Sequence, residues 1–199
     1  NGIPFARIGS KEDGPGIAMT MGDELLAGKA TDHLIELGHM RIGFIAGPDE
    51  YSLAGWRTDG WREAMANAEL DCEDLLEQGD FGFESGLAAA QALLDRENRP
   101  TAIIASSDQM ALAALDVAKE RGLDVPRDLS IVSFDNTPIV RFATPSLTAV
   151  DQPIARTAAR AVELLIDFKK HGAPQAPVVI EGELIVRAST ARAPTRSRT

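Results

Sequence analysis

From Ile17 onward the chain alternates between two hydrophobic periods. Short apolar runs at 17–21, 42–46, 101–105 and 130–134 have the length of buried strands, and Ala149-Val150, 178–180 and 184–186 are further extended pieces. Phe5 to Ile8 supplies another strand fragment near the start. Between the runs the apolar residues recur at helical spacing. Leu26, Ala30, Leu34 and Leu37 share one face and end at Gly38, a natural stop. Gly60, Trp61, Ala64, Met65 and Ala68 fall on successive turns of a second helix. A third helix is predicted over 85–96, with Phe81 and Phe83 in the loop before it. Asp108 is read as the N-cap of a fourth, with a ligand group as the alternative, and this helix carries Met110, Ala111, Ala114, Leu115 and Ala118 and is closed by Gly122. Pro153 opens a last helix with Ile154, Ala158, Ala161, Val162 and Leu165.

Strands alternating with helices of this length mean βαβ units and a mostly parallel sheet. In such sheets ligands bind in the crevice beyond the carboxyl ends of the strands. Three predicted strands end in polar loops: Gly47-Pro48-Asp49-Glu50-Tyr51-Ser52, leading to Arg57; Ser106-Ser107-Asp108; and Asp135-Asn136. A parallel sheet puts all three loops on one edge, so Arg57, Ser107 and Asp135 can converge. A guanidinium fork and a carboxylate across a cleft suit a ligand with neighbouring hydroxyls, since one donates and the other accepts. Phe81 either stacks on a ring of that ligand or packs into the core. Arg57 has its own plain alternative, a stem laid over apolar surface, and Asp135 could be an ordinary turn residue.

Composition narrows the function. The 199 residues carry a net charge of −10, against binding of nucleic acid by this stretch itself. The only basic cluster, Arg192, Arg196 and Arg198, is expected to be a solvated tail. No apolar run approaches the roughly 20 residues of a membrane span. One cysteine, Cys72, excludes an internal disulfide and fits a cytoplasmic setting. Its acidic neighbours would blunt it as a nucleophile. The motifs of serine hydrolases, phosphate-binding loops, zinc proteases and dinucleotide sites are absent, so neither catalysis nor a cofactor is expected. His33, His39 and His171 are scattered and lack metal-ligand spacing. The opening Asn1-Gly2-Ile3-Pro4 has neither an initiator Met nor a signal-peptide pattern, so the chain is expected to start inside a longer protein.

A set of segments then carries a resemblance. Gly2-Ile3-Pro4-Phe5, the run from Asp32 to Phe44 with Leu37-Gly38-His39, Arg57-Thr58-Asp59-Gly60, Pro100-Thr101-Ala102-Ile103, Ser107-Asp108-Gln109-Met110-Ala111, Val125 to Pro153, and Val186-Arg187-Ala188-Ser189-Thr190 occur in order. Their order and spacing closely resemble the effector-binding domain of LacI/GalR-type bacterial transcription regulators, over about 2–190. The resemblance implies an α/β fold of the periplasmic-binding-protein-like type I, two parallel-sheet lobes with three chain crossings and an N-terminal lobe incomplete here. It assigns 1–22 to strands of that partial lobe, 23–150 to the C-terminal lobe, 151–175 to a helix returning to the N-terminal lobe, 176–190 to closing strands of the C-terminal lobe and 191–199 to a tail. It makes Arg57 and Asp135 the main polar contacts of a small effector, with Tyr51, Leu53, Phe81 and Ser107 tuning selectivity. The effector is expected to be a sugar or sugar phosphate, less readily a purine. The domain is expected to form a homodimer and to meet operator DNA only through a helix-turn-helix module outside this sequence. A sugar-binding protein for transport is the alternative on the same fold. Two departures stand out: Ser107 occupies a position where Asn is usual, and Gly22-Asp23 one where paired acidic or amide residues are common.

Overall fold

The computed structural model describes residues 3–11, 14–172, 174 and 176–195, without the side chains of 169–171. Asn1, Gly2, Arg196 and Arg198, and the side chain of His171, lie outside the described residues.

Among the described residues there are two sheets, and the larger has six strands. In chain order these are β3 (Ile42–Ala46), β4 (Leu76–Gln78), β5 (Ala102–Ala105), β6 (Ser130–Asp135), β7 (Thr148–Asp151) and β9 (Glu183–Ile185). Their spatial order is β4-β3-β5-β6-β7-β9, all parallel except β9, which runs antiparallel to β7. Side chains on successive residues leave opposite faces of a strand, and here both faces are covered. Ile42, Phe44, Ala102, Ile104, Val132, Phe134 and Val150 point toward helices α1 (Asp23–Glu36) and α2 (Ser52–Asn67). Ile45, Ile103, Ala105, Ile131 and Ala149 face α3 (Phe83–Leu94) and α4 (Asp108–Glu120). Double coverage explains the unbroken apolar runs. The chain leaves β3 toward β4 on one side and reaches β5 on the other, so the β3–β5 gap is the switch point where α/β sheets open a crevice.

Helices α1 and α2 cross with no room for a side chain at Gly60, where a Cβ would overlap the carbonyl oxygen of Glu24. That close approach seats Trp61 against Phe44, ring centroids 5.3 Å apart, with its indole N–H donating to the Ile42 carbonyl at 3.2 Å. A second, three-stranded parallel sheet joins β1 (Ala6–Ile8), β2 (Ile17–Thr20) and β8 (Val178–Val179). On it Ile17 and Met19 pack with Ala161, Leu165 and Phe168 of α6 (Ile154–His171). A short α5 (Ile139–Phe142) follows β6.

Three details differ from the sequence reading. The third helix begins at Phe83 rather than 85, because Asp80 Oδ1 accepts the Gly82 N–H and turns the chain into the helix two residues early. Asp108 is not the N-cap of α4. Ser107 has the extended backbone of a cap, and its hydroxyl accepts from the Met110 N–H at 3.2 Å. Val178–Val179, expected beside Leu184 as a closing strand of one lobe, pairs with β2 in the smaller sheet, since the chain changes sheets between β8 and β9.

Candidate functional site

A cleft of about 480 Å³ opens beyond the carboxyl ends of β3, β5 and β6. Leu53, Arg57, Phe81, Ser107 and Asp135 all line it, with Asp108, Leu112, Thr137 and Gln152. Five of the six predicted residues therefore converge. Tyr51 does not line the cleft; its exposed ring lies 6.1 Å from that of Phe81, tilted by 50°.

Arg57 governs the floor. It is only 3% exposed. Its Nε donates to Asp23 Oδ1 at 2.9 Å, its Nη1 donates to the Ser106 carbonyl at 2.6 Å, and Nη1 stands 4.0 Å from Asp135 Oδ1. The guanidinium plane lies over the Phe134 ring at 4.5 Å. Two of its five N–H groups thus serve protein acceptors at hydrogen-bonding distance, and Nη1 also faces Asp135. The reading of Arg57 as a stem over apolar surface fails, because the charged head itself is buried and paired.

Asp135 ends β6 with φ of 97°, and Asn136 follows with φ of 58°. Two successive non-glycine residues in the left-handed region turn the strand end sharply. Burial pushes the Asp135 carboxyl above the usual aspartate range; Arg57 opposes the rise, while Asp108 and Asp23 add to it. Asp108 is buried, and its Oδ2 accepts from the Thr137 N–H at 2.6 Å and hydroxyl at 2.7 Å. Among the described residues its Oδ1, and Oδ2 of Asp23, have no hydrogen-bond partner. Both oxygens are buried, and Asp23 does not line the cleft, so they back the guanidinium rather than face a ligand.

Phe81 is a wall of the cleft, held from three sides. Its φ is 69°, its ring occupies the space a Cβ on Gly47 would need, and its carbonyl accepts from the Ser107 hydroxyl at 2.8 Å. That donation commits its single proton and one lone pair already accepts from the Met110 N–H, so it can only accept from a ligand. Ser107 thus positions Phe81 more than it offers a contact of its own.

Sequence reasoning missed Asp23 as the partner of Arg57, and Gln152. Asp23 follows an apolar strand and a left-handed Gly22 (φ 75°), a strand-end signal like the other three. The pattern does not reveal that this strand, from the other sheet, delivers its helix to Arg57. A larger cleft of about 550 Å³, among Lys11, Glu24, Lys29 and Glu181, lacks such convergence: Lys11 pairs with Glu24 at 2.8 Å and Lys29 with Glu181 at 3.7 Å.

Residues 31–190 match the family model described as a periplasmic binding protein-like domain. The chain is 41% identical over 167 residues to the HTH-type transcriptional repressor CytR of Escherichia coli K12, an alignment covering 83% of this chain and 49% of CytR. The chain spans about half the length of the curated relatives it matches. The crystal structure of a regulatory protein of the LacI family from Chloroflexus aggregans superposes with a TM-score of 0.87 at 35% identity, covering 94% of this chain and 69% of that one. This chain belongs to the LacI family. A complex of the family's transcriptional regulator CelR with cellobiose superposes with a TM-score of 0.85 at 34% identity, over 94% of this chain and 58% of that one.

His33 and His39 of this LacI-family chain hold structure. His39 is buried, with Nδ1 2.8 Å from the Thr101 hydroxyl and Nε2 3.0 Å from the Ala191 carbonyl. A carbonyl only accepts, so Nε2 carries the proton and the neutral ring pins the C-terminal segment. Burial keeps its pKa below the ordinary histidine value. His33 Nε2 reaches the Thr190 hydroxyl at 3.1 Å. The Cys72 thiol is pushed up chiefly by burial, with Asp71 adding to the rise and Arg62 opposing it. No helix among the described residues is long and apolar enough to cross a membrane.

Proposed function

We propose that this chain is the effector-sensing part of a LacI-type transcription repressor and that its effector is a sugar. The observation that carries the reading is the cleft itself. Arg57 and Asp135 stand side by side in it, Nη1 4.0 Å from Oδ1, with Asp108 close by and the Phe81 ring as a wall. Hydroxyls donate to the carboxylates and accept from the guanidinium, and a sugar ring face stacks on Phe81. The relative seen with cellobiose supports a carbohydrate over a purine.

The two sheets are read as portions of two lobes, with 23–150 forming most of one. The chain passes between sheets at 21–22, 152–153 and 180–182. Asp23 and Gln152 sit at two of these passages, so a ligand gripping the cleft would bias the angle between the lobes. Differential affinity for the open and closed states then shifts the population that favours operator binding. DNA contact is assigned to a helix-turn-helix module outside these 199 residues, in keeping with the relatives' description as HTH-type and the charge of −10. A second copy is assigned to α5, where Phe142 is 83% exposed; Ile139 of the same turn lines the cleft instead.

A thermal-shift screen with neutral mono- and disaccharides, sugar phosphates and purines tests the function. A sugar that raises the melting temperature and is recovered unchanged supports it. Stabilisation by purines alone, or turnover of the sugar, contradicts it. Sedimentation of the protein and of Phe142→Ser tests the dimer: a wild-type monomer at tens of micromolar would remove it.

A further inference from the structure

The acidic corner of the cleft has a support that neither the sheet nor the binding residues supply. Asp135 on β6 lies in register with Asp151 on β7, and Asp151 with Glu183 on β9. Three carboxylates therefore stand in a row across three adjacent strands, an arrangement that is repulsive on its own. The same corner contains the two left-handed residues Asp135 and Asn136, which persist only where neighbours over-determine them.

Besides the Asp108–Thr137 hydrogen bonds, a brace runs from β7 and the C-terminal segment. Asn136 Nδ2 donates to Asp151 Oδ1 at 2.6 Å, and Arg187 Nη2 donates to Asn136 Oδ1 at 2.5 Å. Arg187 is itself fixed: Nη1 donates to the Leu147 carbonyl at 2.6 Å and its backbone N–H to the Thr148 hydroxyl at 2.9 Å. The segment beyond is bolted to the sheet, where Ser189 Oγ donates to the Ile131 carbonyl at 2.6 Å and accepts from the Thr148 N–H at 2.8 Å. Around Arg187 the charged groups are Asp108 and Asp151, which favour the cation, and Arg141 of α5, which opposes it.

We propose that Arg187 is a positioning residue for the effector site. Through Asn136 and Asp151 it holds the left-handed corner that presents Asp135 beside Arg57. Because Asp151 leads directly into Gln152 and the passage to the smaller sheet, the bracket also ties the binding carboxylate to a segment that lobe closure would move. The inference rests on the sugar-sensor reading for its functional half only.

The decisive variants are Arg187→Met, Arg187→Lys and Asn136→Gly; the last keeps left-handed freedom but removes the amide. Two readouts are taken: amide exchange at Thr137, whose N–H donates to Asp108, and calorimetric affinity for the screened sugar giving the largest thermal shift. Arg187→Met and Asn136→Gly should each speed exchange about tenfold or more and weaken the sugar about tenfold, with global melting little changed. Their effects should not add, since both cut one bracket. Arg187→Lys, able to reach fewer acceptors, should fall between wild type and Arg187→Met. Unchanged exchange in Asn136→Gly, or fully additive effects, would overturn the proposal. If Arg187→Met unfolds, Asn136→Gly still decides it. If no sugar binds the wild type, the functional reading falls while the exchange arm decides whether the bracket exists.

Discussion

Replacing Arg57 with alanine should cost stability as well as ligand. A binding residue on a cleft floor is often removable without harm to the fold, and the helix spacing alone gives no reason to expect otherwise. Here the side chain is buried with Asp23, itself 2% exposed, at a single Nε–Oδ1 contact of 2.9 Å. Removing one member leaves a buried carboxylate without its counter-charge and strands the Ser106 carbonyl. Breaking such a pair costs about 3–5 kcal/mol, a large share of the ~5–15 kcal/mol that holds a domain together. At ~2–4 °C per kcal/mol for a chain of this size, Arg57→Ala should melt roughly 6–20 °C below wild type. The double variant Arg57→Met/Asp23→Leu removes both charges and should recover most of that loss, while sugar binding stays absent. Thermal and urea melts followed by circular dichroism decide the matter. An Arg57→Ala protein melting within about 2 °C of wild type, or a double variant no better than the single, would refute the reasoning.

Other expectations follow from the same geometry. Ser107→Ala removes the cap of α4 and the hydroxyl that holds the Phe81 carbonyl; it should cost about 1–2 kcal/mol and weaken sugar binding through Phe81, read by melts and calorimetry. Gly60→Ala places a methyl against the Glu24 carbonyl and should force α1 and α2 apart, destabilising by about 1–3 kcal/mol in urea melts. The raised Asp135 pKa gives two opposite pH trends. As pH falls through that raised value the carboxylate is protonated and sugar affinity should drop, at a higher pH than an ordinary aspartate would give. The ligand-free fold trends the other way: the stability this group contributes is full below its unfolded pKa and is lost as pH rises through the folded one. Asp135→Asn should flatten its share of both profiles, in calorimetry and melts across pH 3–7 (about the span of shifted carboxyl groups).

Much of this is legible in the sequence itself. Strands buried on both faces leave unbroken apolar runs, so β3, β5 and β6 are plain in the sequence, and their polar exits mark the cleft edge. Arg57, Ser107 and Asp135 follow from that edge without knowledge of side-chain positions. What stays hidden depends on contacts across long separations. Asp23 meets Arg57 34 residues away, and Arg187 meets Asn136 51 residues away. Asp23 has a strand-end signal of its own, but nothing local names either partner, because each pair is brought together by a chain crossing. The N-cap at Ser107 rather than Asp108 is a one-residue matter, settled by which side chain the Met110 N–H meets and by Thr137 claiming the Asp108 carboxylate.

Central to the account is that the adjacent Arg57 and Asp135 together hold the sugar. Titration of the best-stabilising sugar into wild type and Asp135→Asn, by calorimetry near pH 7, tests it most directly. The exchange keeps the shape of a half-buried side chain and removes only its charge and one acceptor, so the fold should stand. Affinity should fall by at least about tenfold to a hundredfold, the loss of one or two charge-assisted hydrogen bonds. Equal affinity in the two proteins would contradict the account.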